Sequence, residues 1–128
     1  MNIPSDLRYS NEHLWVKEEG DLFLCGITDH AQELLGEISF VELPELGTTI
    51  KKEEKLITIE SLKASFDIMS PASLTITDVN KALNGGPALI NSSPYGDGWL
   101  FRCELKDRSE LEGLMSAEEY RNFIAGSV

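Results

Sequence analysis

Ile57-Thr58-Ile59-Glu60-Ser61-Leu62-Lys63-Ala64-Ser65-Phe66-Asp67-Ile68-Met69-Ser70-Pro71 is the stretch on which the fold turns. Apolar side chains alternate with polar ones on both sides of its centre, Ile57 and Ile59 before, Phe66 and Ile68 after. That period of two puts successive side chains on opposite faces of a strand. Two such strands with only Ser61-Leu62-Lys63-Ala64 between them must meet in a tight turn, and the turn carries a lysine. Pro71 cannot donate to a ladder and separates the second strand from a third, in which Leu74 and Ile76 alternate. A surface lysine ordinarily does no more than solvate its neighbourhood. At a hairpin tip, however, its primary amine stands at the end of a rigid platform with little steric shelter, so an enzyme can reach it and join a carboxylic acid cofactor to it. The amide so formed loses the lysine charge and puts the cofactor's reactive end on a long jointed tether, which raises its effective concentration at a partner's site.

Upstream, Leu14–Lys17 and Leu22–Ile27 flank Glu18-Glu19-Gly20-Asp21 and read as a hairpin turning at Gly20. A short helix follows, capped by Thr28, with Ala31, Leu34 and Leu35 as its apolar stripe and Gly36 as its stop. Glu37 to Leu43 is expected as a strand with Ile38, Phe40 and Val41 inward, ended by Pro44, and Gly47 marks a turn. Downstream, Lys81 to Gly98 is rich in Gly, Pro, Ser and Asn and fits a long surface connection with single helical turns at Lys81–Leu83 and Ala88–Ile90. Trp99 to Leu105 reads as a strand, and Ser116-Ala117-Glu118-Glu119 as a capping box opening a helix through Tyr120, Phe123 and Ile124. Repeated short strands with little helix predict a mainly β domain, a barrel or sandwich with peripheral helices. Residues 1–128 read as a single domain.

Composition narrows the function. With 11 basic and 22 acidic residues the net charge is −11, which disfavours duplex nucleic acid and anionic lipid surfaces, both of which demand clustered Lys and Arg. No stretch is long and apolar enough for a transmembrane helix, and Met1 to Trp15 has neither a secretory nor a transit pattern; the expected place is the cytoplasm. Cys25 and Cys103 each sit in an apolar run and read as buried reduced thiols, whether or not they meet. His13 and His30 lack the short ligand spacings of zinc sites, and no metal is expected. Gly96-Asp97-Gly98 is a turn rather than a dinucleotide fingerprint, since Phe101 occupies the third glycine position. No nucleophile–base cluster can be assembled, so catalytic residues are expected to be absent.

The run Glu60 to Pro71 closely resembles the lipoylation segment of glycine cleavage system H proteins. So do Val16-Lys17, Gly26-Ile27-Thr28-Asp29-His30-Ala31-Gln32, Leu35-Gly36, Phe40-Val41-Glu42-Leu43-Pro44 and, above all, Asn91-Ser92-Ser93-Pro94-Tyr95-Gly96-Asp97-Gly98-Trp99-Leu100. The likeness runs from about Leu7 to Ala125. Biotin carriers have a similar fold but typically place methionine on both sides of the lysine, where this chain has Leu62 and Ala64.

The resemblance implies a barrel-sandwich hybrid with Lys63 at a hairpin tip, extended by the N-terminal hairpin and a C-terminal helix. It implies a carrier rather than an enzyme, a monomer with lipoate attached covalently to Lys63. That carrier shuttles an aminomethyl group and reducing equivalents between glycine decarboxylase, an aminomethyltransferase and dihydrolipoamide dehydrogenase, after modification by a lipoate ligase or a lipoyl or octanoyl transferase. Glu60 and Gly47 match positions associated with lipoylation, and Ser10 and Asp67 match positions of the cleft that shelters the loaded arm. Two residues depart from the family pattern. Leu14 stands where His-Glu-Trp has its carboxylate, and Leu74 where the family has a glycine; a backbone demanding positive φ there would strain leucine by about 1 kcal/mol or more. Cys25, Leu34 and Cys103 are further substitutions, read as packing. The departures keep two alternatives open, an H-like carrier or lipoate relay serving other pathways, and a non-lipoylated interaction module.

Overall fold

The computed structural model describes residues 1–126; the last two residues of the expected single domain lie outside them. The chain runs β1 (Arg8–Tyr9), β2 (Leu14–Glu19), β3 (Leu22–Ile27), α1 (Asp29–Leu35), β4 (Ile38–Glu42), β5 (Thr49–Ile50), β6 (Lys55–Ser61), β7 (Ser65–Met69), β8 (Leu74–Val79), α2 (Leu89–Ser92), β9 (Phe101–Leu105) and α3 (Ala117–Gly126). Lys81–Asn84 and Arg108–Gly113 form 3-10 turns. Six strands make one antiparallel sheet in the order β1-β2-β3-β9-β8-β5, and three make a second in the order β4-β6-β7. The inward faces of both, with Ile57 and Ile59 from one and Phe23, Ile76 and Phe101 from the other fully buried, close over the larger of two buried clusters, while Tyr9, Trp15 and Leu24 pack with Tyr120 and Ile124 of α3 in the second. This is the mainly β domain with peripheral helices that the strand pattern predicts, arranged as the hybrid that the resemblance implies.

Local chemistry accounts for most boundaries. Gly20 turns the β2–β3 hairpin at φ +64°, where a side chain would be strained. The Thr28 hydroxyl accepts from Ala31 N (3.1 Å) at the start of α1, and Gly36 closes it at φ +75°. Ser116 Oγ accepts from Glu119 N (3.2 Å) while Glu119 accepts from Ser116 N (2.9 Å), the reciprocal capping box before α3. The long connection is pinned by its amides rather than left loose. Asn91 accepts from Ile38 N (3.0 Å) and donates to Gly36 O (2.7 Å), and Asn80 donates to Asp97 O (2.8 Å) and Trp99 O (2.7 Å).

Three expectations need correction. Phe40 is exposed, not inward, because a bulge between Ile38 and Phe40 shifts the alternation of β4 by one and turns Val41 into the core instead. Leu34 is also exposed: Ala31 and Leu35, four apart, face the core, and Leu34 stands off that line. Leu74 carries no strain of the kind expected, since the positive-φ residues other than glycine are His13 and Glu53, and Leu74 opens β8 with its side chain buried. The downstream helical turns are at Lys81–Asn84, which begins where predicted and runs one residue further, and at Leu89–Ser92, shifted by one or two residues.

Candidate functional site

Lys63 stands at the apex of the β6–β7 hairpin. Ser61 N donates to Ala64 O (2.8 Å), and the Ser61 hydroxyl accepts from Lys63 N (3.3 Å) and Ala64 N (3.2 Å), so one short side chain stands in for the carbonyl that usually closes a turn. Neither Leu62 nor Lys63 needs left-handed backbone, and Leu62 N is held by Glu37 O (3.3 Å) at the start of the neighbouring strand. The turn is therefore closed by hydrogen bonds within itself and to the start of the neighbouring strand. Lys63 itself is exposed and joins no ion pair among the described residues. An amine so placed, with Leu62 and Ala64 also exposed beside it, meets the steric demand of an acylated lysine: a modifying enzyme can surround it without moving the chain.

The other residues singled out from the sequence are placed differently. Glu60 is exposed on the rung that pairs it with Phe40 and Ser65, two positions back along the strand from the turn's first central residue. Asp67 is exposed on β7, the strand that follows the lysine turn, accepting from Thr58 Oγ1 (2.7 Å) across the β6–β7 rung. Ser10 is buried and turned into its own loop, accepting from Glu12 N (3.2 Å) and Leu14 N (3.1 Å). Gly47 is explained by backbone alone: φ is +80°, its N–H donates to Ile76 O (2.8 Å) of the other sheet, and nothing stands within 4 Å of where a Cβ would be.

Beside β7 lies an open groove of about 580 Å³, whose lining includes Ser10, Glu12, Met69, Ser70, Glu110 and Phe123. Asp67 is not among the lining residues, whereas Glu12 is. The amide of Met69, on the strand edge left free by β6, donates to both Glu12 carboxylate oxygens (3.3 and 3.4 Å). No spacing in the sequence announces this contact, because 57 residues separate the partners. Glu12 is held there by its loop. His13 takes φ +69°, its Nδ1 bonds the Tyr120 hydroxyl (2.7 Å), and that hydroxyl meets Thr28 Oγ1 (2.8 Å), tying the loop to α3 and to the cap of α1. Burial, with the adjacent His30 ring, holds the His13 imidazole below its usual pKa, and burial pushes the Tyr120 phenol up to about 12.

Of the substituted positions, Leu34 is exposed and the other four converge on one place. Leu14, Leu74, Cys25 and Cys103 all line a small, wholly apolar pocket of about 10 Å³, together with Val16, Phe101 and Leu105 among others. Such a space is at most the size of one water and offers it no polar partner. Leu14 therefore belongs to the core and does not face the groove. Cys25 and Cys103 are free, buried thiols lining the same pocket, and the neighbouring Cys103 thiol together with burial pushes the Cys25 pKa well up, which keeps the reactive thiolate scarce. Among the described residues no three His, Cys, Asp or Glu side chains converge to hold a metal ion, and no helix is long and apolar enough to cross a membrane.

Comparison with known proteins agrees with this geometry over nearly the full chain. The family description glycine cleavage H-protein matches residues 7–126. The glycine cleavage system H proteins of Pseudoalteromonas atlantica and of an Escherichia coli O7:K1 strain are 52% and 48% identical over 124 residues, each comparison covering 96% of both chains. Among solved structures, a glycine cleavage system H protein from Mycobacterium marinum superposes with a TM-score of 0.87 at 37% identity, over 96% of this chain and 99% of that one. With a rigid hairpin presenting one free lysine, and a match extending across both sheets and the C-terminal helix, this chain belongs to the glycine cleavage H-protein family.

Proposed function

We propose that Lys63 is the residue that carries lipoate, and that the chain delivers this arm in turn to glycine decarboxylase, an aminomethyltransferase and dihydrolipoamide dehydrogenase. As an H protein the chain is a carrier component of the glycine cleavage system and not a catalyst. The observation that carries the assignment is the exposed amine at the apex of a turn fixed by Ser61 and Glu37. Acylation forms one bond, from Lys63 Nζ to the carbonyl carbon of an activated lipoyl or octanoyl group. The amine gives up a proton, and the activating group leaves with the electron pair. The product is a neutral amide, so the tip loses its cation.

When bound, the lipoyl group supplies a disulfide that cycles between oxidised and dithiol forms and accepts the fragment left after glycine decarboxylation. The protein's part is to hold the attachment point still, to leave the arm free to swing, and to offer it a sheltered surface. The groove beside β7 supports that last role, since Met69, Pro71, Leu114 and Phe123 give it apolar walls and Glu12 gives it a carboxylate. The chain works as a cytoplasmic monomer in this reading.

Intact-mass analysis tests the assignment. Incubation with lipoate, ATP and a lipoate ligase should add one lipoyl group to the wild type and none to Lys63→Arg. A modified Lys63→Arg protein overturns the assignment. Lipoylated wild type that accepts nothing from glycine decarboxylase overturns the delivery role and favours a carrier for another pathway.

A further inference from the structure

The three-stranded sheet ends, at the lysine, in an apolar surface that the fold itself does not use. Directly opposite residues in an antiparallel sheet share a face. Phe40 stands on a rung with Glu60 and Ser65, which is the outer face, while Phe66 stands on the next rung with Val41 and Ile59, which is the core face. Val41 and Ile59 are covered, but Phe66 is on β7, the edge strand, and keeps 47% of its surface exposed. Phe40 is 50% exposed because the bulge in β4 throws it outward, and Leu62, next to the lysine at the apex, is 75% exposed. Single exposed apolar residues are ordinary. Here two phenylalanines, one on each face, and a leucine beside the lysine lie within a few rungs of the hairpin tip.

The charge around them has one sign. Glu37, Glu60 and Asp67 are exposed at this end of the sheet, and Lys63 is the only Lys or Arg between Lys55 and Lys81. The partner strand and its approach, residues 18–50, contain no Lys or Arg at all. A surface with apolar patches on opposite faces does not fit a flat partner, because a flat partner covers only one of them. It fits a recess that receives the whole tip.

Resting on Lys63 as the acylated residue, we propose that the enzyme that acylates it takes this tip as a plug, gripping Phe40 and Phe66 from opposite faces in a socket with apolar walls and a basic rim. Desolvated aromatic anchors inside a polar surround are the usual source of binding energy at such contacts, and the surrounding carboxylates speed encounter with a basic rim. The two faces act together, and removing either phenylalanine loosens the grip.

The test uses the full chain with a lipoate ligase, ATP and lipoate, following acylation by intact mass. Phe40→Ser and Phe66→Ser are each expected to lower kcat/KM for the carrier by about tenfold or more, mainly through KM, while their thermal midpoints stay at the wild-type value. Leu46→Ser removes a side chain that is equally exposed, at 55%, but lies outside the three-stranded sheet, and should acylate at the wild-type rate. Raising salt should slow the wild type. Wild-type rates in both phenylalanine variants overturn the proposal, and loss in only one of them overturns the two-faced socket. Failure of the wild type to acquire lipoate at Lys63 overturns the attachment itself, a result distinct from unchanged rates in the variants.

Discussion

Leu74 decides between two physical accounts of the same departure. If position 74 required a positive φ, as the family's glycine suggests, Leu74→Gly would relieve strain and raise stability by about 1 kcal/mol. In the structure Leu74 pairs with Leu105 and Ile50, is buried, and lines the small apolar pocket with Leu14, Cys25 and Cys103. Glycine there removes a whole buried side chain, a loss of about 3–5 kcal/mol for leucine to alanine in well-packed cores. A glycine within a strand costs roughly another 0.5–1 kcal/mol. The expected change is destabilisation of about 4 kcal/mol or more, a large share of the ~5–15 kcal/mol typical of a domain. At roughly 4 °C per kcal/mol for a chain of this size, the thermal midpoint should drop by about 15 °C. Urea titration followed by the fluorescence of buried Trp15 measures it at equilibrium. Because Leu74 and Cys103 line one space, adding Cys103→Leu to Leu74→Gly should recover part of the loss beyond additivity, by about 1 kcal/mol. An unchanged or raised midpoint in Leu74→Gly would refute the packing account and restore strain.

Three further outcomes follow from the same coordinates. Gly98→Ala should be severely destabilising, because its Cβ would come within 2.6–2.7 Å of Leu89 O, Ile90 Cα and Ser93 O, all backbone atoms; a folded variant with a wild-type melting curve would show that this turn is not as tightly closed. His13 has a folded pKa below its unfolded value of about 6.5, so the stability it contributes is complete above that pH and is lost as pH falls through 6.5 towards the folded value. His30, Tyr120 and Phe123 are the rings against it, and the Asp29 and Glu119 carboxyls, held below their usual range by hydrogen bonds, lose their contribution only as pH falls through the ordinary carboxylate range, below the histidine window. His13→Asn, a residue that tolerates φ +69°, should flatten the melting temperature between pH 7.5 and 5, and equal slopes in the two proteins would remove His13 as the cause. Cys25 and Cys103 should resist a thiol reagent in the native protein and react fully in urea, while rapid native labelling would contradict their burial.

The sequence by itself determined the elements and the lysine-bearing tip. Alternation around Ser61 to Ala64 placed two strands and a tip, Thr28, Gly36 and the Ser116–Glu119 box marked helix ends, and Pro71 separated β7 from β8, because each of these signals acts within a few residues of itself. The lysine was legible for the same reason, its exposure following from the turn. What only the tertiary structure decided is which side chains meet across the chain. A one-residue bulge turned Phe40 outward, the edge position of β7 left Phe66 uncovered, Glu12 reached Met69, and Leu14, Leu74, Cys25 and Cys103 came together in one apolar space. These are contacts between segments far apart in the chain, and strand order and register, not local preference, set them.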